Sequence, residues 1–312
     1  MFHSSRADKY IEQVVVPFLP GARLASYSTI GYNSDLHLEL DLYTILRYSQ
    51  FQRPLNEDSY FIHFTSITNL FHIIRSKSLW MRDLNSMEDE REFEFANSYL
   101  TPDTASNLKS KILLLSLCEF SDATVRNEFM WNEYAENHRG ICLKLRIHKK
   151  RGIPPTYQLG KIIYHPDNTP IVQLIELKNR HENFKEENGY AISNIGEILY
   201  AVSSLYKREG YQEEQEVRLL KTITGNSYPF RNSTQEPALQ YMYDSKRKDY
   251  SYFMEAPLNN PNEDIIAPHI SIEEIIFGRK VTDKEFYFLR DIIIEKLKLS
   301  FKENIQVTII RD

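Results

Sequence analysis

Three groups of side chains in this 312-residue sequence have types and spacings that suit chemistry. The first is Glu214 and Glu216, in the run Glu-Gln-Glu-Val-Arg that ends on Arg218. Residues two apart on a strand share a face, so these carboxylates repel unless a cation offsets them, and Arg218 is the same-face neighbour of Glu216. A solvated, ion-paired edge strand would account for the pair. A carboxylate aimed at a developing positive charge would account for it equally. The second is His63, set among Phe61, Ile62 and Phe64. It reads either as a half-buried histidine with one hydrogen-bond partner or as an imidazole fixing a ligand hydroxyl at the floor of a cleft. The third is Trp131 and Tyr134, three apart on a short helix and therefore on one face. They are core packing or an aromatic wall on which a flat ring stacks.

Two basic stretches add a possible polyanion contact. One runs from Lys144 to Arg151. The other, residues 241–253, interleaves Lys246, Arg247 and Lys248 with Tyr241, Tyr243, Tyr250, Tyr252 and Phe253. Cations alternating with stacking rings are what single-stranded nucleic acid binding requires, although a solvated face has the same composition.

Composition removes several classes. Only ten residues are glycine, and no two lie within three positions of each other. A glycine-rich dinucleotide loop and a P-loop are therefore excluded. The net charge of −5 gives no global basic field. The two cysteines, Cys118 and Cys142, fit a reducing cytoplasm, make no zinc set and lie in apolar strands where thiols are inert. No signal peptide is visible, and the longest strongly apolar run is too short to span a bilayer, so a cytoplasmic, non-membrane protein is expected. Glu88, Asp89, Glu90 and Glu92 read as a solvated helix start before they read as a metal site.

The elements that must position these groups follow from periodicity. Residues 1–50 read as an N-terminal extension, with a short helix up to Pro17 and an amphipathic segment over 36–48. Residues 51–312 read as one α+β domain with a mostly helical insertion near 167–207. Strands are expected at 60–64, 79–81, 112–118, 141–147, 159–164, 214–221, 272–277 and 305–310. Helices are expected after a Thr65 or Ser66 cap, over 88–99, over 127–137 with Gly140 ending it, and over 283–298. Strands and helices do not alternate regularly, which favours α+β over a doubly wound sheet.

In order, the blocks resemble a bacterial family known mainly as a domain of unknown function. The resemblance rests on His63-Phe64-Thr65-Ser66, Leu79-Trp80, the acidic segment from Leu84 to Glu90, Cys118-Glu119-Phe120-Ser121, the run Trp131-Asn132-Glu133-Tyr134-Ala135-Glu136-Asn137-His138-Arg139-Gly140, Glu214 to Arg218, and Ile275 to Gly278. The Trp-to-Gly run is the most specific of these. The chain departs from the family at Asn85-Ser86, where an Asn-Asp pair is usual. The order of an early His, central aromatics and a late Glu also resembles, more loosely, the ADP-ribosyltransferase superfamily.

That second resemblance implies a split antiparallel β-sheet core with flanking helices and an NAD site without a glycine-rich loop. It implies Glu216 on the ribose 2′-hydroxyl, where cleavage of the nicotinamide bond develops oxocarbenium character. His63 would hold a ribose or the carboxamide, and Trp131 or Tyr134 would stack on nicotinamide. Thr65 and Ser66 would bind phosphate or ribose, Arg218 would orient Glu216 or bind pyrophosphate, and Glu214 would activate or position the acceptor. The expectation is an NAD-dependent ADP-ribosyltransferase, a toxin or phage-defence effector with a nucleic-acid or protein acceptor and an antitoxin partner. Its rivals are a non-catalytic recognition module, an NAD glycohydrolase and, with least behind it, a metal-dependent nuclease. The transferase reading requires His63, Trp131 or Tyr134, and Glu216 to line one cleft.

Overall fold

The computed structural model describes residues 2–30, 35–40, 45–57, 59–86, 96, 109, 112–149, 156–167, 169–189, 201–223, 236–244, 249–259, 265–301 and 305–311. The fold is α+β, with a mostly antiparallel open sheet of ten strands among the described residues. The chain opens on helix α1 (Phe2–Tyr10) and a hairpin of β1 (Leu24–Ile30) and β2 (Asp35–Leu40). The main sheet is built from β3 (Tyr60–Thr65), β4 (Ser78–Asp83), β5 (Ile112–Glu119), β6 (Ile141–Ile147) and β7 (Tyr157–Lys161). A short β8 (Ile163–His165) pairs in parallel with β9 (Tyr206–Arg208) outside it. The sheet is completed by β10 (Glu216–Thr222), β11 (Leu239–Asp244), β12 (Asp249–Pro257), β13 (Ile270–Phe277) and β14 (Gln306–Ile309). Further α-helices among the described residues are α2 (Ile67–Ser76), α3 (Asp122–Val125), α4 (Glu128–Tyr134), α5 (Val172–Asn188) and α6 (Asp283–Phe301).

The sheet forks at β5. One edge of β5 pairs with β10 along its length, from Glu216↔Cys118 to Thr222↔Ile112. The other edge takes two strands at its two ends: β4 at Leu113 and Leu114, and β3 at Cys118 and Glu119. From there β4 leads to β12 and β11, while β3 leads to β6, β13 and β14. Helix α2 connects the two arms. Ser66 caps it by accepting the Asn69 N–H at 3.0 Å, and Leu70, Ile73 and Ile74 form its buried stripe.

The two faces of this sheet are covered differently. On one face Leu113, Leu115 and Leu117 of β5 join Phe61, Leu143, Val217, α2 and α6 in one apolar cluster. On the other, Ile112 and Leu114 belong to a cluster with α1, β2, α5 and the segment around Leu205, whereas Cys118 belongs to a second with Ile62, Phe64, Met130 and Trp131. The segment read as an N-terminal extension thus packs into a sheet face, supplying Tyr10, Val14, Leu19, Leu36 and Ile45. Of the amphipathic stretch over 36–48, the described residues 36–40 are strand, because β1 offers them an antiparallel partner, and 45–48 are turn. The acidic helix expected over 88–99 lies outside the described residues, Ala96 excepted. Among the described residues no helix is long and apolar enough to cross a membrane, and no cluster of ligating side chains suits a metal ion.

Candidate functional site

The site grows from a break in a strand. The alternation over 214–221 reads as one strand, but β10 begins only at Glu216. Glu214 closes a 3₁₀ helix (Glu209–Glu214), and Gln215 sits in the left-handed region at φ 45° and ψ 45°. The kink turns the Glu214 side chain toward the same cation that Glu216 meets. That cation is Lys207 of β9, whose Nζ donates to Glu214 Oε2 at 2.6 Å and to Glu216 Oε2 at 3.1 Å. Arg218 then grips Glu216 with both arms of its fork: Nε to Oε1 at 2.8 Å and Nη2 to Oε2 at 3.1 Å. Nη1 of Arg218 donates to the Ser204 carbonyl. Tyr134, at the end of α4, donates its hydroxyl to Glu214 Oε1 at 2.8 Å. The Glu216 N–H donates to the Tyr164 hydroxyl at 2.8 Å.

The four charges cancel, and all four side chains are buried. β10 is no solvated edge: β5 lies on one side and β7 on the other. The two carboxyls are pushed in opposite directions. Burial drives Glu214 above the usual carboxylate range, with Glu216 adding to the rise and Lys207 opposing it. Burial also pushes Glu216 up, but Arg218 and Lys207, with hydrogen bonds from Arg218 and Ser116, outweigh it and bring it down to about 2. Two neighbouring carboxyls with divergent acidities are the usual basis of an acid–base division of labour. Burial, and then the charge of Glu214, raise the Tyr134 phenol, so it stays a donor.

The residues read from the sequence as one NAD site fall into two groups. Glu214, Glu216, Arg218 and Tyr134 meet. His63 does not join them: Ile62 pairs with Cys118, which pairs with Glu216, so the adjacent His63 faces the opposite side of the sheet with Phe61. Thr65 and Ser66 go with it to the start of α2, where Thr65 Oγ1 accepts from Asn69 Nδ2 at 3.0 Å. Ser116 stands between the groups. Its carbonyl accepts from His63 Nδ1 at 3.2 Å, and its hydroxyl bonds Glu216. Burial lowers the His63 imidazole, the bond to Ser116 notwithstanding, so it is neutral.

Trp131 is 1% exposed and is packing, not a wall. Its Nε1–H donates to the Val125 carbonyl at 2.6 Å, its face lies on His138, and its edge meets Phe64. Tyr134, 41% exposed, is the one of the two with a face toward solvent. Gly140 does not end α4, which stops at Tyr134. Glu136, Asn137 and His138 follow with φ of 51°, 55° and 68°, three successive left-handed residues. A Cβ on Gly140 would stand 2.5 Å from the Thr65 carbonyl oxygen, and one on Gly278 would strike the His138 carbonyl. The two glycines let neighbouring backbones close on this turn, which His138 and Arg279 also fasten to Glu128 at 2.9 and 2.8 Å. Of the basic stretch, Lys246, Arg247 and Lys248 lie outside the described residues; Tyr250 is exposed, and Tyr252 is half-buried with its N–H on Asp83 Oδ2 at 3.0 Å.

Sequence reasoning missed Lys207, Ser116 and Tyr164. Lys207 left only a weak signal: with Arg208 it directly follows Leu205 and Tyr206, inside a stretch read as helical.

Residues 130–219 match the family described as a protein of unknown function, DUF2971. No curated protein and no solved structure matches the chain. The matched stretch holds the left-handed turn and every side chain of the ion cluster except that of Ser116. It supports a resemblance to a family without an assigned activity and lends nothing to the resemblance to ADP-ribosyltransferases.

Proposed function

We propose that the chain transfers ADP-ribose from NAD to a macromolecular acceptor, with the carboxyls at the start of β10 as the working groups. The observation that carries this reading is the pairing of Glu214 and Glu216 on one lysine with their acidities driven apart. NAD would supply a nicotinamide–ribose bond whose cleavage leaves positive charge on the ribose. The residues fit NAD only in part. Glu214 Oε1 is capped by the hydroxyl of half-exposed Tyr134, so a ligand hydroxyl that displaced the phenol would find a carboxylate acceptor with a ring beside it. Trp131 has no free face for nicotinamide, and His63 faces the other side of the sheet, so neither belongs to this site. The fork at β5 supports the split sheet that the reading calls for.

A second reading has its own observation. Glu216 is 4% exposed and both its oxygens are bonded, which is the state of a structural ion lock in a non-catalytic recognition module. Incubation with NAD and cell extract separates the two. The transferase reading expects nicotinamide release, label on protein or nucleic acid, and loss of both in Glu214→Gln and Glu216→Gln. Free ADP-ribose without a labelled macromolecule would make the chain a glycohydrolase. No release by the wild-type protein, or full release by both variants, ends the assignment.

A further inference from the structure

On the arm of the sheet that leads away from β4, three tyrosines stand together in the open. Tyr241 and Tyr243 of β11 and Tyr250 of β12 are 66%, 54% and 55% exposed. The register places them on one face: Tyr243 is opposite Tyr250, and Tyr241 is opposite Tyr252. Their rings lie edge to face, Tyr250 being 5.8 Å from Tyr241 and 5.3 Å from Tyr243. Single exposed aromatics are ordinary, but a contiguous group held by strand pairing is a recognition surface by default. The same face continues inward through Tyr252 and Met254 into the core, so the ledge is rigidly mounted. The four residues that join β11 to β12 read Ser-Lys-Arg-Lys in the sequence.

We infer that this tyrosine ledge binds a single-stranded polynucleotide. Rings spaced along two paired strands offer faces to unstacked bases, and the Lys246-Arg247-Lys248 run that separates the two strands in the sequence matches a phosphate chain in sign. Among the described residues β11 is the last strand of its arm, which also invites a peptide strand. A peptide added to that edge would use backbone groups in the sheet plane, whereas the rings project from the sheet face. The ledge therefore answers to bases. The inference is independent of the NAD reading, because it is read by binding alone.

The test is fluorescence anisotropy of a short labelled single-stranded oligonucleotide of mixed sequence, with its duplex as the comparison. Wild-type full-length protein is expected to bind the single strand more tightly than the duplex, whose bases are not open to stacking. Tyr241→Ala, Tyr243→Ala and Tyr250→Ala are each expected to weaken binding by about fivefold or more. The corresponding Phe variants, which keep the ring, are expected to stay near wild type. Changing Lys246, Arg247 and Lys248 together to Ala is expected to flatten the salt dependence. Equal affinity for single strand and duplex, unchanged binding in the Ala variants of a protein that melts like wild type, or no binding at low salt would each overturn the proposal.

Discussion

The two faces of β5 are held by different physics. Leu113, Leu115 and Leu117 look into one continuous apolar cluster. On the reverse, Leu114 and Cys118 fall in separate clusters, and between them Ser116 faces Glu216 and Arg218. Burial of apolar surface is non-directional and tolerant of small shifts. A buried ion cluster has one geometry in which its desolvation is repaid, and removing one member leaves a charge stranded. The seam between two hydrophobic clusters is thus where the molecule trades tolerance for definition. It is also where the paired carboxyls stand.

The largest test of this contrast is Arg218→Ala. It leaves two buried carboxyls to the single cation of Lys207 and is expected to cost about 3–5 kcal/mol, while the double change Glu216→Leu with Arg218→Met is expected to recover most of the loss. Denaturant unfolding reads both, and a double variant as unstable as the single one would show that the cluster is not a lock. Acid sharpens the same point. The depressed Glu216 carboxyl contributes stability that is present above its unfolded value of 4.5 and lost as pH falls toward about 2. Glu214, raised by burial, works in the opposite sense, its contribution being lost as pH rises through its folded value. Glu216→Gln should therefore flatten the acid limb of stability, whereas Leu117→Ala should lower the whole curve and leave its slope alone.

A second test moves off the seam. Gly278→Ala sets a methyl against the His138 carbonyl and is expected to cost about 1–3 kcal/mol, independent of salt and pH. Comparable stability by thermal melt would mean that the left-handed turn is not clamped. The smallest effect is expected from Tyr134→Phe, which removes one hydrogen bond at a half-exposed ring where water can replace the phenol, and costs about 0.5–1.5 kcal/mol. If its cost equals that of Arg218→Ala, the cluster opens less toward Tyr134 than the exposure of that ring indicates.

Much of this architecture was legible in the residues. Apolar runs located β3, β5 and β6, and a cap expected at Thr65 or Ser66 located α2. Arg218 was assigned to Glu216 from spacing alone. The kink at Gln215 was not legible, because Glu-Gln-Glu-Val-Arg alternates in type whether or not its first residue is extended. Lys207 was missed for a related reason: β9 is three residues long and takes its identity from a parallel partner rather than from a local pattern. The opposite orientations of His63 and Glu216 depend on register across three strands, and register is a tertiary property.

The fork has a kinetic consequence. β5 meets β10 only after roughly a hundred residues of intervening chain are accommodated, and β3, β4 and β10 all compete for its two edges. A strand with three claimants is the point at which assembly order matters. Until β10 is made, one edge of β5 is an open apolar template. Synthesis exposes that edge well before it supplies the partner, so crowding of nascent chains, rather than the finished fold, is where this molecule is most vulnerable to aggregation.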